Sequence, residues 1–424
     1  MVGPDSYPST PSPSALRDGL AGPKPSQRLR LAIVAGHPVQ YISPWLNGLA
    51  EKAGITLKVF YLWDLGISEA SDPGFGRPVK WDIPLLEGYE YQIISNKSKR
   101  PGNQNFFGYI NPGLFPQLAA WRPDAILLMN YAFLSYILLL IDPRFWGIPF
   151  IFRGDSNNLN RTPSLKGWIN YLFRNLVFKR FSAFLVVGRA NQEYLLSSGV
   201  PRSKLFMALH AIDNARFTSA RASADEQAKL LRGRLGIGKE VVLLFVGKFV
   251  DVKRPLDILA AYARLPSELI AASRIVFVGD GYLSDQILAH VKKLSLDGVH
   301  VLPFQNQSML PVIYSMGDVL VLPSESETWG LVVNEAMNLG CPAIVSDRVG
   351  CAHDLVVPGQ TGWVFARGNL EALSRCFAEA IADPVRLHQM GENARQHVAH
   401  FSYDGLTESL QSALRKVCGP KFSA

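Results

Sequence analysis

An α/β fold of two Rossmann-like, doubly wound parallel-sheet domains facing each other across a cleft is predicted by three features of the sequence. Two series of short apolar runs, one opening at Leu29 and the other at Val241, alternate with amphipathic segments of helical period. The runs are apolar at nearly every position, as strands covered on both faces require. A polar stretch rich in Ala, Arg and Gly, residues 218–239, separates the two series. The chain has 424 residues, 48% hydrophobic and 18% charged, enough apolar material for two or three cores; wholesale disorder and a coiled coil are excluded.

Residues 1–28, rich in Pro, Ser and Gly and without an apolar signal core, read as a disordered leader. The first domain, residues 29–217, opens with the strand Leu29–Ala35, LRLAIVA. Ser43-Pro44 reads as an N-cap and first-turn proline for a helix through Lys52. Strands follow at Ile55–Trp63, Ala125–Asn130, Pro149–Phe152 and Ala183–Gly188, with helices at Phe133–Ile141, Leu165–Phe181 and Ala190–Ser198. Residues 218–239 read as an interdomain linker merging into a surface helix. The second domain, residues 240–400, places strands at Val241–Lys248, Arg274–Gly279, His300–Phe304, Asp318–Pro323 and Pro342–Ser346. Helices lie between them at Pro255–Leu265, Leu283–Leu296, Met309–Met316 and Leu331–Leu339. Residues Asn369–Val417 read as helical with a break at Phe401-Ser402, and residues 401–424 as a helix returning to the first domain.

Composition narrows the function. The formal net charge is +8, without a dense basic stripe carrying aromatic platforms, so a nucleic-acid partner is not expected. The charge suits an anionic small substrate or an anionic membrane surface. Four cysteines without a Cys-x-x-Cys spacing exclude a zinc module or disulfide scaffold and fit a reducing, cytoplasmic compartment. The longest apolar run, Tyr131–Ile141, is far short of the ~20 residues that span a bilayer. The segment Lys166–Arg180 mixes Trp168, Tyr171, Phe173 and Phe178 with Lys166, Arg174, Lys179 and Arg180. Such a helix lies in a membrane interface, as a peripheral contact, or covers a core with its charges in solvent.

The chemistry concentrates in residues Pro323–Asp347, PSESETWGLVVNEAMNLGCPAIVSD. A strand ends at Pro323, a Ser/Glu loop with Thr328 follows, and Trp329-Gly330 opens a helix. Amides of Trp329, Gly330 and Leu331 in its first turn favour an anion such as a diphosphate. Gly330 permits close approach of a ligand to the backbone. Glu335, one turn into the helix, can accept from vicinal hydroxyls of a ribose, and Glu327, eight residues earlier, from hydroxyls of a second sugar.

This block resembles the Glu-x7-Glu motif of family 4 glycosyltransferases, retaining enzymes of the GT-B fold. Gly247-Lys248-Phe249-Val250-Asp251-Val252-Lys253-Arg254 resembles the family's Gly-Arg-Leu-x-x-x-Lys-Gly turn, with Lys248 where Arg is usual and Arg254 where Gly is usual. The resemblance implies that Lys248 and Lys253 grip the donor diphosphate. Phe277–Gly281 resembles the next strand and turn, and Pro303-Phe304 the segment whose backbone meets the nucleotide base. In the first domain, Gly36-His37 would line the acceptor side of the cleft. Arg153 and Asp155 follow a strand and face the same cleft; the family's usual His near Asp155 is missing. His210–Asn214 resembles a structural turn that ends the first domain.

The resemblance implies transfer of a hexosyl unit from a nucleotide diphosphate sugar to a saccharide or lipid-linked acceptor, with Glu327, Lys248 and Lys253 as catalytic groups. No cofactor or metal is expected, since no Asp-x-Asp pair stands at a strand end. The expected setting is cytoplasmic or peripheral on the inner membrane face, in cell-surface polysaccharide or glycoconjugate synthesis. A sugar-nucleotide epimerase of the same architecture and a non-catalytic, membrane-docked binding module are the alternatives.

Overall fold

The computed structural model describes residues 28–65, 71–72, 77–78, 80–159 and 165–422. The leader expected before Arg28 lies outside them. The first domain runs β1 (Leu29–Ala35), α1 (Ser43–Ala50), β2 (Ile55–Tyr61), a small hairpin of β3 (Ser71–Asp72) and β4 (Arg77–Pro78), and β5 (Glu90–Ile93). It continues through α2 (Leu114–Trp121), β6 (Ala125–Leu128), α3 (Leu134–Ile141), β7 (Phe150–Arg153), α4 (Leu165–Phe178), β8 (Phe181–Val186), α5 (Arg189–Ser197) and β9 (Leu205–Met207). Helix α6 (Asn214–Arg234) leads to the second domain, which opens with β10 (Val241–Val246), α7 (Pro255–Tyr262), α8 (Ser267–Ala271), β11 (Ser273–Val278) and α9 (Ser284–Lys293). Then come β12 (Val299–Leu302), α10 (Leu310–Met316), β13 (Val319–Leu322), α11 (Leu331–Asn338), β14 (Ala343–Ser346), α12 (Ala352–Leu355) and β15 (Gly362–Phe365). The chain closes with α13 (Leu370–Ala382), α14 (Pro384–Val398) and α15 (Tyr403–Cys418).

Both large sheets are parallel. The first has the order β5-β2-β1-β6-β7-β8-β9 and the second β12-β11-β10-β13-β14-β15. The continuous apolar runs follow from coverage of both faces. Along β1, Leu31 and Ile33 enter one core while Ala32 and Val34 enter the other. Along β10, Leu243 and Phe245 face one core, and Val242, Leu244 and Val246 the opposite one. In each sheet the strand order turns back beside the first strand, between β1 and β6 and between β10 and β13. Loops leaving those strands at their carboxyl ends diverge to opposite faces and leave a crevice where ligands bind in such sheets.

Some local expectations are corrected. Ser43 does not cap α1: the N-cap is Ile42, without a side-chain bond, although Pro44 does occupy the first turn. Ser43 is instead the first residue of the helix and is 2% exposed. The segment expected as a linker at 218–239 is mostly α6, capped by Asp213, whose carboxylate accepts from the Arg216 amide at 3.0 Å. Phe217, Ala224 and Ala228 of α6 are buried in the core that α10 and α11 also fill. Small alanines let the helices approach without leaving an apolar stripe in the sequence. The C-terminal helical stretch also breaks at Asp383, which caps α14. Of this stretch, α15 returns to the first domain: Leu406, Leu410, Ala413 and Leu414 complete a core with Trp45 and Leu46, and the Trp45 indole donates to Thr407.

Candidate active site

The loops at the second sheet's turning point build the site. After β10 the chain turns through Gly247 and Lys248 into a short 3-10 turn, Asp251–Lys253. After β13 it runs through Glu325, Glu327 and Thr328 into α11. The two loops are joined where Lys253 Nζ donates to Glu327 Oε2, a pair that is half-buried. Arg254, where a glycine would be at ease, adopts the left-handed region at φ 51°. Its side chain holds that conformation by donating to Asp257 at 2.7 Å and to Glu325 at 2.9 Å.

Gly330 is required by the turn into α11. Its φ is 100°, and an added Cβ would lie 2.9 Å from Val349 and 3.2 Å from Leu322. As the N-cap it offers no side chain to the helix, so the first-turn amides are not capped by the chain's own residue. Trp329 is buried; its indole donates to Asn334 at 2.8 Å, and Asn334 donates to the His210 carbonyl at 3.1 Å. Glu335 projects from the next turn and accepts from the Tyr314 hydroxyl at 2.6 Å.

Burial shapes the site's charge. Desolvation pushes the Glu335 carboxyl up to about 7, against the Tyr314 hydrogen bond that favours its ionised form. Desolvation, reinforced by the like charge of Lys248, pushes the Lys253 ammonium down to about 8. His210 is held neutral, first by burial and then by Arg153.

Two cavities adjoin at the cleft, one lined by both domains and the other by the first domain alone. The first, about 310 Å³, is bordered by Gly247, Lys253, Phe304, Glu327, Thr328, Trp329, Gly330, Leu331 and Glu335. The second, about 280 Å³, lies at the carboxyl ends of the first sheet and is bordered by Gly36, His37, Arg153 and Asp155, with Tyr61, Tyr109, Phe133 and Tyr136 as aromatic walls. Tyr41, Asp155 and His210 border both, so the two spaces adjoin. Every site residue expected from sequence except Lys248 borders one of them. Lys248 is near enough to Lys253 to depress its pKa.

Asp155, expected to face the cleft, and its neighbour Asn157 bridge the domains. Asp155 accepts from the Thr328 hydroxyl at 2.8 Å, and Asn157 donates to the Thr328 carbonyl at 3.0 Å. Arg153 is 2% exposed, donates Nη1 to the Ala208 carbonyl at 2.7 Å, and is pushed down to about 10 by burial. A second bridge was invisible in sequence. Asn306 donates to the Lys80 carbonyl at 2.8 Å, Asp82 accepts from Ser308, and Trp81 lies 6.2 Å from the Phe304 ring at the first cavity's rim. Trp81, Tyr41, Gln307 and Tyr314 also border that cavity, and no motif marked them. Among the described residues, no cluster of three or more His, Cys, Asp or Glu side chains could hold a metal ion.

Residues 228–397, which carry the Lys253 and Glu327 loops, match the family model for glycosyl transferases group 1. The match lies within α6 and the second domain. Over 169 residues the chain is 32% identical to the N-acetyl-alpha-D-glucosaminyl L-malate synthase of Bacillus anthracis, covering 40% of this chain and 43% of that protein. Over 238 residues it is 29% identical to the D-inositol 3-phosphate glycosyltransferase of Gordonia bronchialis, covering 52% and 51%. The chain thus spans about half the length of the curated relatives it matches. Anabaena Alr3699/HepE, solved in complex with UDP, superposes with a TM-score of 0.69 at 16% identity, over 92% of this chain and all of that one. The likeness extends to both domains, and the fold is the GT-B arrangement of glycosyltransferases.

Proposed function

We propose that the protein is a retaining glycosyltransferase that moves a hexosyl unit from a nucleotide diphosphate sugar to a saccharide or lipid-linked acceptor, as in cell-surface polysaccharide or glycoconjugate synthesis. One observation carries the reading: Lys253, Glu327, Glu335 and the first turn of α11 converge on one cavity, and an adjoining cavity faces it from the first domain. The donor occupies the first cavity, with its ribose on Glu335 and its diphosphate against Lys253 and the α11 amides. The acceptor enters the second, where aromatic walls and the Arg153 cation suit a polar ring. In the transfer, the bond from the anomeric carbon to the phosphate oxygen breaks. A bond to an acceptor oxygen forms on the same face, and the acceptor's proton passes to the departing phosphate. Lys253 and the helix amides stabilise the charge that grows on that phosphate, and no metal is needed for this. Glu327 orients the sugar and, through its contact with Lys253, the ammonium.

The adjoining second cavity favours transfer over epimerisation, which needs no acceptor space. Among the relatives are an N-acetyl-alpha-D-glucosaminyl L-malate synthase and a D-inositol 3-phosphate glycosyltransferase, and one solved structure of this fold contains UDP-glucose, so labelled UDP-sugars head a screen that also includes GDP- and ADP-sugars. Transfer, or slow hydrolysis, of one donor is expected, with retained anomeric configuration by NMR. Glu327→Ala and Lys253→Ala should each reduce turnover at least 100-fold, about 2.7 kcal/mol or more in the barrier, with an unchanged thermal transition. Full turnover in either variant, or isomerised donor as the product, would refute the assignment.

A further inference from the structure

Helix α4 is turned the wrong way for a helix in water. Its stripe of Trp168, Ile169, Leu172, Phe173 and Leu176 recurs at one-turn spacing, and these side chains are between 46% and 67% exposed. One of its cations, Arg174, points inward. Arg174 is 3% exposed, donates Nε to Ser198 at 2.7 Å, and lies 4.9 Å over the Tyr194 ring. The buried Arg174 and the exposed apolar stripe invert the arrangement expected of an ordinary surface helix, with Lys179, just beyond α4, remaining exposed. Near the end of α4, Arg180 donates to the carbonyls of Leu140 and Phe145, which ties this flank to the end of α3 and the turn after it, where Ile141 and Trp146 are also exposed.

Charge selects the occupant. From Ser156 to Gln192 the chain has six Arg or Lys residues and no Asp or Glu. At the end of α4, Lys179 and Lys204 border a shared hollow, with Arg202 exposed beside it. Exposed aromatic and aliphatic side chains with Lys179 and Arg202 exposed at the end of the helix match the headgroup boundary of an anionic leaflet, where apolar groups sink among the acyl chains and ammonium groups stay among phosphates. We propose that the exposed face of α4, with the adjoining end of α3, docks the protein in-plane on an anionic lipid bilayer. Among the described residues no helix is long and apolar enough to cross a membrane, so the attachment is peripheral. This inference is independent of the reaction assigned above, because vesicle binding reads neither donor nor acceptor.

The test is co-sedimentation of the full chain with vesicles of phosphatidylcholine containing phosphatidylglycerol, against phosphatidylcholine alone. Binding to the anionic vesicles, weakened by high salt, is expected. The double variant Trp168→Ser/Leu176→Ser should lower the partition coefficient at least tenfold while leaving the thermal transition and nucleotide-sugar binding unchanged. Sedimentation of that variant like the unaltered chain would overturn the proposal, as would failure of the unaltered chain to bind anionic vesicles. A concentration-dependent dimer abolished by the same double change, without vesicle binding, would assign the face to a second copy and likewise overturn it.

Discussion

Burial brings Glu335 and Lys253 close to neutrality, one pushed up to about 7 and the other pushed down to about 8. The sign of each effect on donor binding follows from its charge. As pH rises through about 7, Glu335 becomes a carboxylate and accepts better from ribose hydroxyls, so binding strengthens. As pH rises past about 8, Lys253 loses the charge that attracts the diphosphate, so binding weakens. A nucleotide sugar carries no phosphate that titrates in this range, so the profile reports the protein. Calorimetric titration should therefore show affinity greatest between about 7 and 8. Glu335→Gln should flatten the acid limb and leave the alkaline limb in place; an unchanged acid limb would remove Glu335 from ribose recognition.

At the scale of elements, α15 lends its apolar face to the opposite end of the chain. Leu410 is fully buried beside Trp45 and Leu46. Leu410→Ala should cost about 2–5 kcal/mol, read as a lowered thermal transition, while nucleotide-sugar affinity at the second domain stays intact. The strands at the heart of each sheet were legible because runs such as LRLAIVA and VVLLFV are apolar on both faces. The edge strands β5 and β9 were not, since EYQI and LFM are short and partly exposed. The sequence read α6 only as a linker merging into a surface helix, because its buried positions are one Phe and two Ala among polar residues. The loops with Lys253, Glu327 and Glu335 were legible because their spacing is local. Trp81 and Asp82 were not, because their partners lie more than 200 residues away and only the folded chain brings them together.

Across the whole molecule, contacts on both sides of the cleft hold the two domains together. On one side Asp155 and Asn157 meet the Thr328 turn; on the other, Lys80 and Asp82 meet Asn306 and Ser308. Trp81 and Phe304 stand at the cavity rim where a nucleotide base would lie. Stacking of a base on an aromatic ring contributes ~1–3 kcal/mol. Trp81→Ala is expected to raise the donor dissociation constant about tenfold or more without changing kcat at saturation, measured by steady-state kinetics over donor concentration. An unaltered KM would place the base elsewhere.

The return of α15 also sets an order of assembly. A ribosome delivers the first sheet early, yet the residues that cover Trp45 and Leu46 emerge only after both sheets have been made. Until then the nascent first half carries a bare apolar groove, which a chaperone must shield or the finished second half must close. Maturation of the two halves is thereby coupled in time, and the earlier one cannot reach its final stability before the later one is complete.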